Sequence, residues 1–234
     1  MRKIVVLMLI LFEGFAGIAL AQEKLGFEVG GYAGAAIWRE RSFQVGAPQA
    51  SPPIALGFQY DDKVVYGGRF NLLSHGYWGG ELAYGYQKNT VTLTRQSFTP
   101  VELKGSVHHF FYNTILYPVR YGSHRMMPFL TAGLGLAGYN LSGEARARAA
   151  DPKVYGLGNL ASVDKRFAFN YGGGLKADVS SHAGIRVDFR HNFSDVPSFG
   201  LPKESSNPAQ IVLPIQGKLQ NFEGSVGIYF HFQK

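Results

Sequence analysis

His191, Ser194 and Asp195 stand together in the stretch RHNFSD, and a histidine near a serine with an acidic neighbour is chemistry for ester hydrolysis. On a strand, however, residues three apart point to opposite sides, so His191 reads as an interfacial side chain followed by loop residues. His108-His109 raises a metal site, but adjacent strand residues face opposite ways and cannot chelate one ion together. No HExxH motif, phosphate loop or calcium loop is present, and the run Gly172–Gly174 opens no helix. With no cysteine, thiolate nucleophiles, zinc-thiolate centres and disulfides are excluded. No catalytic residue, cofactor or metal is expected, and the chain reads as non-enzymatic.

The charged residues carry a clearer pattern. In YGGGLKADVSSHAGIRVDFRHNF (171–193), Lys176, Asp178, Arg186, Asp188 and Arg190 all fall on even positions. Leu175, Ala177, Val179, Ile185, Val187 and Phe189 fall on odd ones. The same division recurs elsewhere: Trp78, Leu82, Tyr84 and Tyr86 oppose Gly79, Glu81, Ala83 and Gly85, and Phe222, Val226, Ile228 and Phe230 oppose Glu223, Ser225 and Gly227. Small residues share the charged face and large apolar ones take the other, which suits a narrow barrel with its polar face inside and its apolar face in lipid. Lys or Arg on a lipid face costs roughly 2–4 kcal/mol near the midplane. Turning Glu28, Arg69, Glu81, Lys176, Asp178, Arg186, Asp188, Arg190 and Glu223 outward would cost on the order of 20 kcal/mol, beyond the 5–15 kcal/mol stability of a typical protein. These residues are therefore expected to line the lumen as an ion-pair network.

The elements that must position them are strands of period two. Eight are predicted: about 24–38, 63–73, 77–94, 105–117, 128–139, 166–180, 184–192 and 219–232. Ser74-His75-Gly76, Ser181-His182-Ala183 and a turn containing Ser123-His124 are short connections; 39–62, 95–104, 140–165 and 194–218 are mostly long and rich in turn residues. Short turns at one end and long loops at the other describe an all-β, antiparallel, up-and-down transmembrane barrel. Three-residue turns would set Arg69 opposite Glu81, Asp178 opposite Arg186 and Lys176 opposite Asp188, where opposite charges stabilise a strand pair. Residues 1–21 read as a signal peptide: Arg2 and Lys3, a largely apolar stretch, then Ala19-Leu20-Ala21. Residues 22–234 then form a single domain exported to the bacterial outer membrane. The basic excess shows no basic run with interleaved aromatics, so nucleic acid is not an expected partner.

Three stretches, PFLTAGLGLAGY (128–139), NYGGGLKADVSSHAGIRVDFRHNF (170–193) and FEGSVGIYFHF (222–232), resemble the OmpA-type family of eight-stranded outer-membrane barrel domains. The resemblance covers essentially the mature chain. It implies insertion by the barrel-assembly machinery, which reads the closing strand, in contact with outer-membrane lipid and lipopolysaccharide. Larger relatives carry a peptidoglycan-binding domain after the barrel, and that role is not expected of this chain.

Eight strands leave an interior just wide enough for side chains to fill. Four basic and five acidic inward residues nearly neutralise one another, so a plugged lumen is expected. The functional expectation is a barrel contributing to envelope integrity or to surface contacts through its external loops. A narrow channel for ions or small solutes and a lipid A-modifying enzyme are the alternatives.

Overall fold

A computed structural model describes residues 26–40, 42–47, 49–50, 54–73, 76–95, 99–151, 156–213 and 218–232. The signal-peptide reading of 1–21, and the Ser74-His75 part of one turn, lie outside the described residues. Among the described residues ten strands follow one another: β1 (Gly26–Glu40), β2 (Ser42–Ala47), β3 (Ile54–Tyr60), β4 (Lys63–Leu73), β5 (Trp78–Arg95), β6 (Val101–Leu116), β7 (Met126–Leu141), β8 (Val163–Asp178), β9 (Ala183–Asp195) and β10 (Lys218–Phe232). A short helix, α1 (Gly143–Ala150), interrupts the connection between β7 and β8.

Eight of the strands close on themselves. Each of β4 to β10 pairs antiparallel with the next, and β1 completes the ring by pairing with both β10 and β4. The closing seam runs in unbroken register from Phe27–Phe232 to Trp38–Asn221. Closure leaves no open edge in the membrane-spanning part, where an unpaired N–H or C=O has no water to bond. The exterior is an apolar skin: Phe27, Val29, Ile37, Tyr66, Phe70, Leu82, Tyr84, Phe110, Leu130, Phe167, Phe189, Val226, Ile228 and Phe230 are all exposed on it. In a soluble barrel this face would be the buried one.

The two tight hairpins depart from the predicted register. Leu73 pairs with Gly79 and Arg69 with Ala83, while Asp178 pairs with Gly184 and Lys176 with Arg186. The β4–β5 connection is therefore longer than three residues, whereas in β8–β9 the bond between Val179 and Ala183 closes a three-residue turn one position earlier than predicted. The predicted direct pairs Arg69–Glu81, Asp178–Arg186 and Lys176–Asp188 do not form across the strands. Backbone chemistry explains both shifts. The carbonyls of Gly76 and Tyr77 are taken by the N–H groups of Tyr121 and Tyr117 from the neighbouring turn, each at 2.8 Å. In the other hairpin the N–H groups of Val179 and Ser180 both donate to the Ala183 carbonyl, and Ser180 Oγ accepts from the N–H groups of His182 and Ala183. Because each register moves by two residues, every side chain keeps its face.

The region 39–62, expected as an irregular loop, holds a hairpin instead. β2 pairs with β3, and β3 pairs with the end of β5 beyond the barrel, from Leu56–Arg95 to Tyr60–Val91. The strands β2 and β3 thus fold over the loop end of the barrel, and α1 does the same from the β7–β8 connection. Ser142 caps α1 by accepting from the Ala145 N–H at 3.1 Å. Asp164, at the start of β8, holds the loop after β9 by accepting the N–H groups of Ser198 and Phe199, both at 2.7 Å. That grip fixes Phe199 at a φ of 49°, with its ring buried under the loops.

Candidate functional site

The lumen is the place where the chain gathers its chemistry, and it is filled in three layers. In the middle layer, inward positions of β4, β5 and β9 bring Arg69, Glu81, Arg186, Asp188 and Arg190 together. Arg186 grips Asp188 with two parallel bonds, both 2.9 Å, and reaches Glu81 with Nη1 at 2.8 Å. Arg190 bridges the same two acids, 2.8 Å from Glu81 and 2.9 Å from Asp188. Arg69 donates to Asp188 Oδ2 at 2.8 Å and to Ser225 Oγ at 3.1 Å, with its Nε 4.0 Å from Glu81. Asn113 donates to Glu81 at 2.7 Å, and Asn170 donates to Asn113 at 2.8 Å. Aromatic faces complete the packing: Arg69 lies 3.8 Å from the ring centre of Tyr32, and Arg186 lies 4.3 Å from that of Phe129. Charges removed from water persist only when paired and hydrogen-bonded, and this layer satisfies its acids by both routes.

A second cluster closes the turn end. Lys176 meets Glu28 across the lumen, and Asn71 donates to the same carboxylate at 2.8 Å. Tyr121 donates to Glu28 at 2.5 Å; burial, and then the carboxylate beside it, push that hydroxyl well above the usual tyrosine range. His231 places Nδ1 3.2 Å from Glu28 and Nε2 3.0 Å from Asp178. Only the protonated imidazolium donates from both ring nitrogens. In that form His231 brings the inward set to five cations against five acids. Tyr229 donates to Asp178 at 2.6 Å. Leu73, Ile115, Tyr117, Met127 and Phe129 pack around this cluster as a small apolar floor.

The loop-end layer is apolar. Trp38, Val91, Leu93, Leu103, Val107, Tyr139 and Leu141 from the barrel meet Val45, Leu56, Phe58 and Tyr60 from β2 and β3. Ala145 and Ala149 of α1 and Leu157, Leu160, Phe199 and Leu213 of the loops close over them. Trp38 stacks on Tyr60 with ring centres 5.1 Å apart, and Tyr60 meets Tyr139 edge-on at 5.6 Å. The barrel therefore carries an ionic cluster in its middle and a hydrophobic core at its mouth.

Of the nine charges read from the sequence, five share the middle cluster and Glu28, Lys176 and Asp178 share the turn-end one. Glu223 stands apart, accepting from Asn192 at 3.5 Å. The partners differ from the expected ones because the bonds span the lumen rather than adjacent strands. Sequence reasoning missed His231, Tyr121 and the asparagines, although Asn71, Asn113, Asn170 and His231 all sit at inward parity on their strands. The ester-hydrolysis residues are not brought together. Ser194 faces the lumen, bonded to Tyr139, whereas His191 faces outward and shares a 3.1 Å bond with Tyr171. His108 and His109 likewise take opposite faces: His109 is buried inside, and His108 lies outside between Tyr84 and Ser106.

No protein-family model and no curated protein matches this sequence. Among solved structures, the chain is similar to the outer membrane protein OprG from Pseudomonas aeruginosa, with a TM-score of 0.60 at 12% identity over 91% of this chain and 98% of that one. It also aligns with Neisserial surface protein A, with a TM-score of 0.49 at 12% identity over 88% of this chain and 97% of that one. At 12% identity the likeness to OprG is one of fold: a closed, eight-stranded antiparallel barrel of the outer-membrane kind.

Proposed function

We propose that this chain, which carries the fold of the eight-stranded outer-membrane barrels, resides in that membrane as a closed, non-enzymatic barrel and makes its external contacts through its loop end. The observation that carries this reading is the double occlusion of the lumen. The ionic layer leaves Glu81 and Asp188 with no more than 1% of their surface in contact with water, and the apolar layer above it buries Leu56, Leu93 and Leu103 completely. A conducting path needs polar, wetted walls along its whole length, and the loop-end layer is lined mainly by buried apolar side chains. The apolar skin supports placement in lipid, and the long connections at one end support the usual orientation, with tight turns in the periplasm and elaborated loops outside. The barrel-assembly machinery is the partner that a chain of this fold implies for insertion.

Planar-bilayer recording tests the reading. Gln22–Lys234, refolded and shown to be folded by its heat-dependent gel mobility, is expected to give no discrete current steps. Stable openings, altered in size when Arg69 or Glu81 is neutralised, would give first place to the channel.

A further inference from the structure

Outside the lumen, one wall of the barrel departs from the apolar skin at its loop end. On the outward face of β5, Leu82, Tyr84 and Tyr86 are followed by Lys88; on β6, Phe110 and His108 are followed by Ser106 and Lys104. On β7, Leu136 gives way to Gly138 and Asn140, and on β8 the run Phe169, Phe167 ends at Lys165. The register gathers these residues. Lys88 opposes Ser106, Thr90 opposes Lys104, Ser106 opposes Asn140, and Gly138 opposes both His108 and Lys165. Lys88 and Lys104 are therefore diagonal neighbours, and Lys165 stands two strand spacings, about 10 Å, from the β6 column.

Between the cations runs a chain of hydrogen bonds on the lipid-facing surface. Tyr84 Oη lies 2.8 Å from His108 Nδ1, His108 Nε2 lies 3.2 Å from Ser106 Oγ, and Asn140 Nδ2 donates to that hydroxyl at 3.3 Å. Gly138 leaves open floor between His108 and Lys165. All three lysines are exposed. Among the described residues, none of their ammonium groups has an ion-pair partner. The nearest acid along β6, Glu102, lies further toward the loops, opposite Thr92. The other wall differs at the same level: Phe193 then Asp195 on β9, Phe222 then Gln220 on β10 and Ile37 then Arg39 on β1.

We propose that the β5–β8 wall is a binding site for an anionic, phosphate-bearing lipid headgroup of the loop-side leaflet. Lys88, Lys104 and Lys165 supply the charge, and the Ser106–His108–Asn140 chain supplies polar groups between them. Phe110, Leu136 and Phe167 seat the acyl chains directly below. Three unpaired cations mark the boundary where the apolar columns end, which is where lipid phosphates lie, and the register holds them around one polar floor. This assignment rests on the outer-membrane reading above. Each lysine near a membrane surface is worth about fivefold in affinity for anionic lipid, or roughly a hundredfold for three.

Native mass spectrometry of the folded, detergent-solubilised protein, titrated with diphosphorylated lipid A or with phosphatidylcholine, tests the site. Lipid A is expected to be retained in preference, with retention weakened roughly a hundredfold by the surface triple substitution K88Q/K104Q/K165Q and unchanged by R39Q on the other wall. Equal retention by wild type and triple variant, or no preference for lipid A over phosphatidylcholine, overturns the site. Flotation with lipid vesicles separates the two readings. A barrel that floats without lipid preference sinks the headgroup site alone, and one that does not float sinks the membrane reading with it.

Discussion

Glu81 shows at the scale of one residue how the lumen is filled. Its two oxygens serve Arg186, Arg190 and Asn113 at 2.7–2.8 Å, with Arg69 at 4.0 Å behind them. Removing a carboxylate from such a place strands buried guanidinium groups, and breaking a buried pair costs about 3–5 kcal/mol. Glu81→Gln is expected to lower the urea midpoint of the barrel in lipid vesicles by that amount of stability. Glu223→Gln, which loses one 3.5 Å acceptor, is expected to cost far less. Equal midpoints for the two variants would show that the guanidinium groups find other acceptors. That these acids face inward was legible in their parity alone. Their partners were not, because parity fixes a face while a bond across the lumen depends on barrel closure and strand stagger, which no single hairpin contains.

At the scale of elements, the hairpin Ser42–Tyr60 decides what the loop end is made of. Phe43, Val45, Leu56 and Phe58 alternate as strand residues do, but Pro52 and Pro53 between the two runs and the adjoining polar residues read as loop. The extension of β5 beyond the barrel supplies the edge to which β3 adds, and that edge exists only once β5 is seen to outrun β4. The barrel strands themselves were legible from period two, as was the alternation of short and long connections. The β4–β5 register missed by two residues because the neighbouring turn bonds to Gly76 and Tyr77, and the β8–β9 register because Val179 and Ser180 both bond the Ala183 carbonyl. Phe58 stacks on Phe43 with ring centres 4.9 Å apart and is buried against the loop-end core. Phe58→Ala is expected to cost about 3–5 kcal/mol locally. Its signature is faster proteolysis of the 39–62 region in intact vesicles while the heat-dependent mobility of the barrel is retained. Loss of that mobility would mean that the hairpin and the barrel unfold together.

At the scale of the whole molecule, the two packed layers lie in series, and under the closed-barrel proposal a series arrangement makes a specific demand on any experiment that tries to open it. The ionic layer is polar but occupied; the loop-end layer is apolar and packed by elements outside the barrel wall. Loosening the cap alone leaves Arg186 and Arg190 clamped on Glu81 and Asp188, so Phe58→Ala is expected to remain electrically silent. Neutralising Glu81 alone leaves the path blocked by Trp38, Tyr60 and Tyr139, whose packed rings, one pair stacked and one edge-on, cross the mouth. Combining Phe58→Ala with Glu81→Gln removes one member from each layer. The layers share no residues, so their stability costs should add, while conductance should appear only in the combination. Planar-bilayer recordings of the two single variants and the double variant check this. Current in either single variant would mean that one layer carries the seal by itself. Current in none would mean that the asparagines and tyrosines between the layers hold the lumen shut after both are weakened.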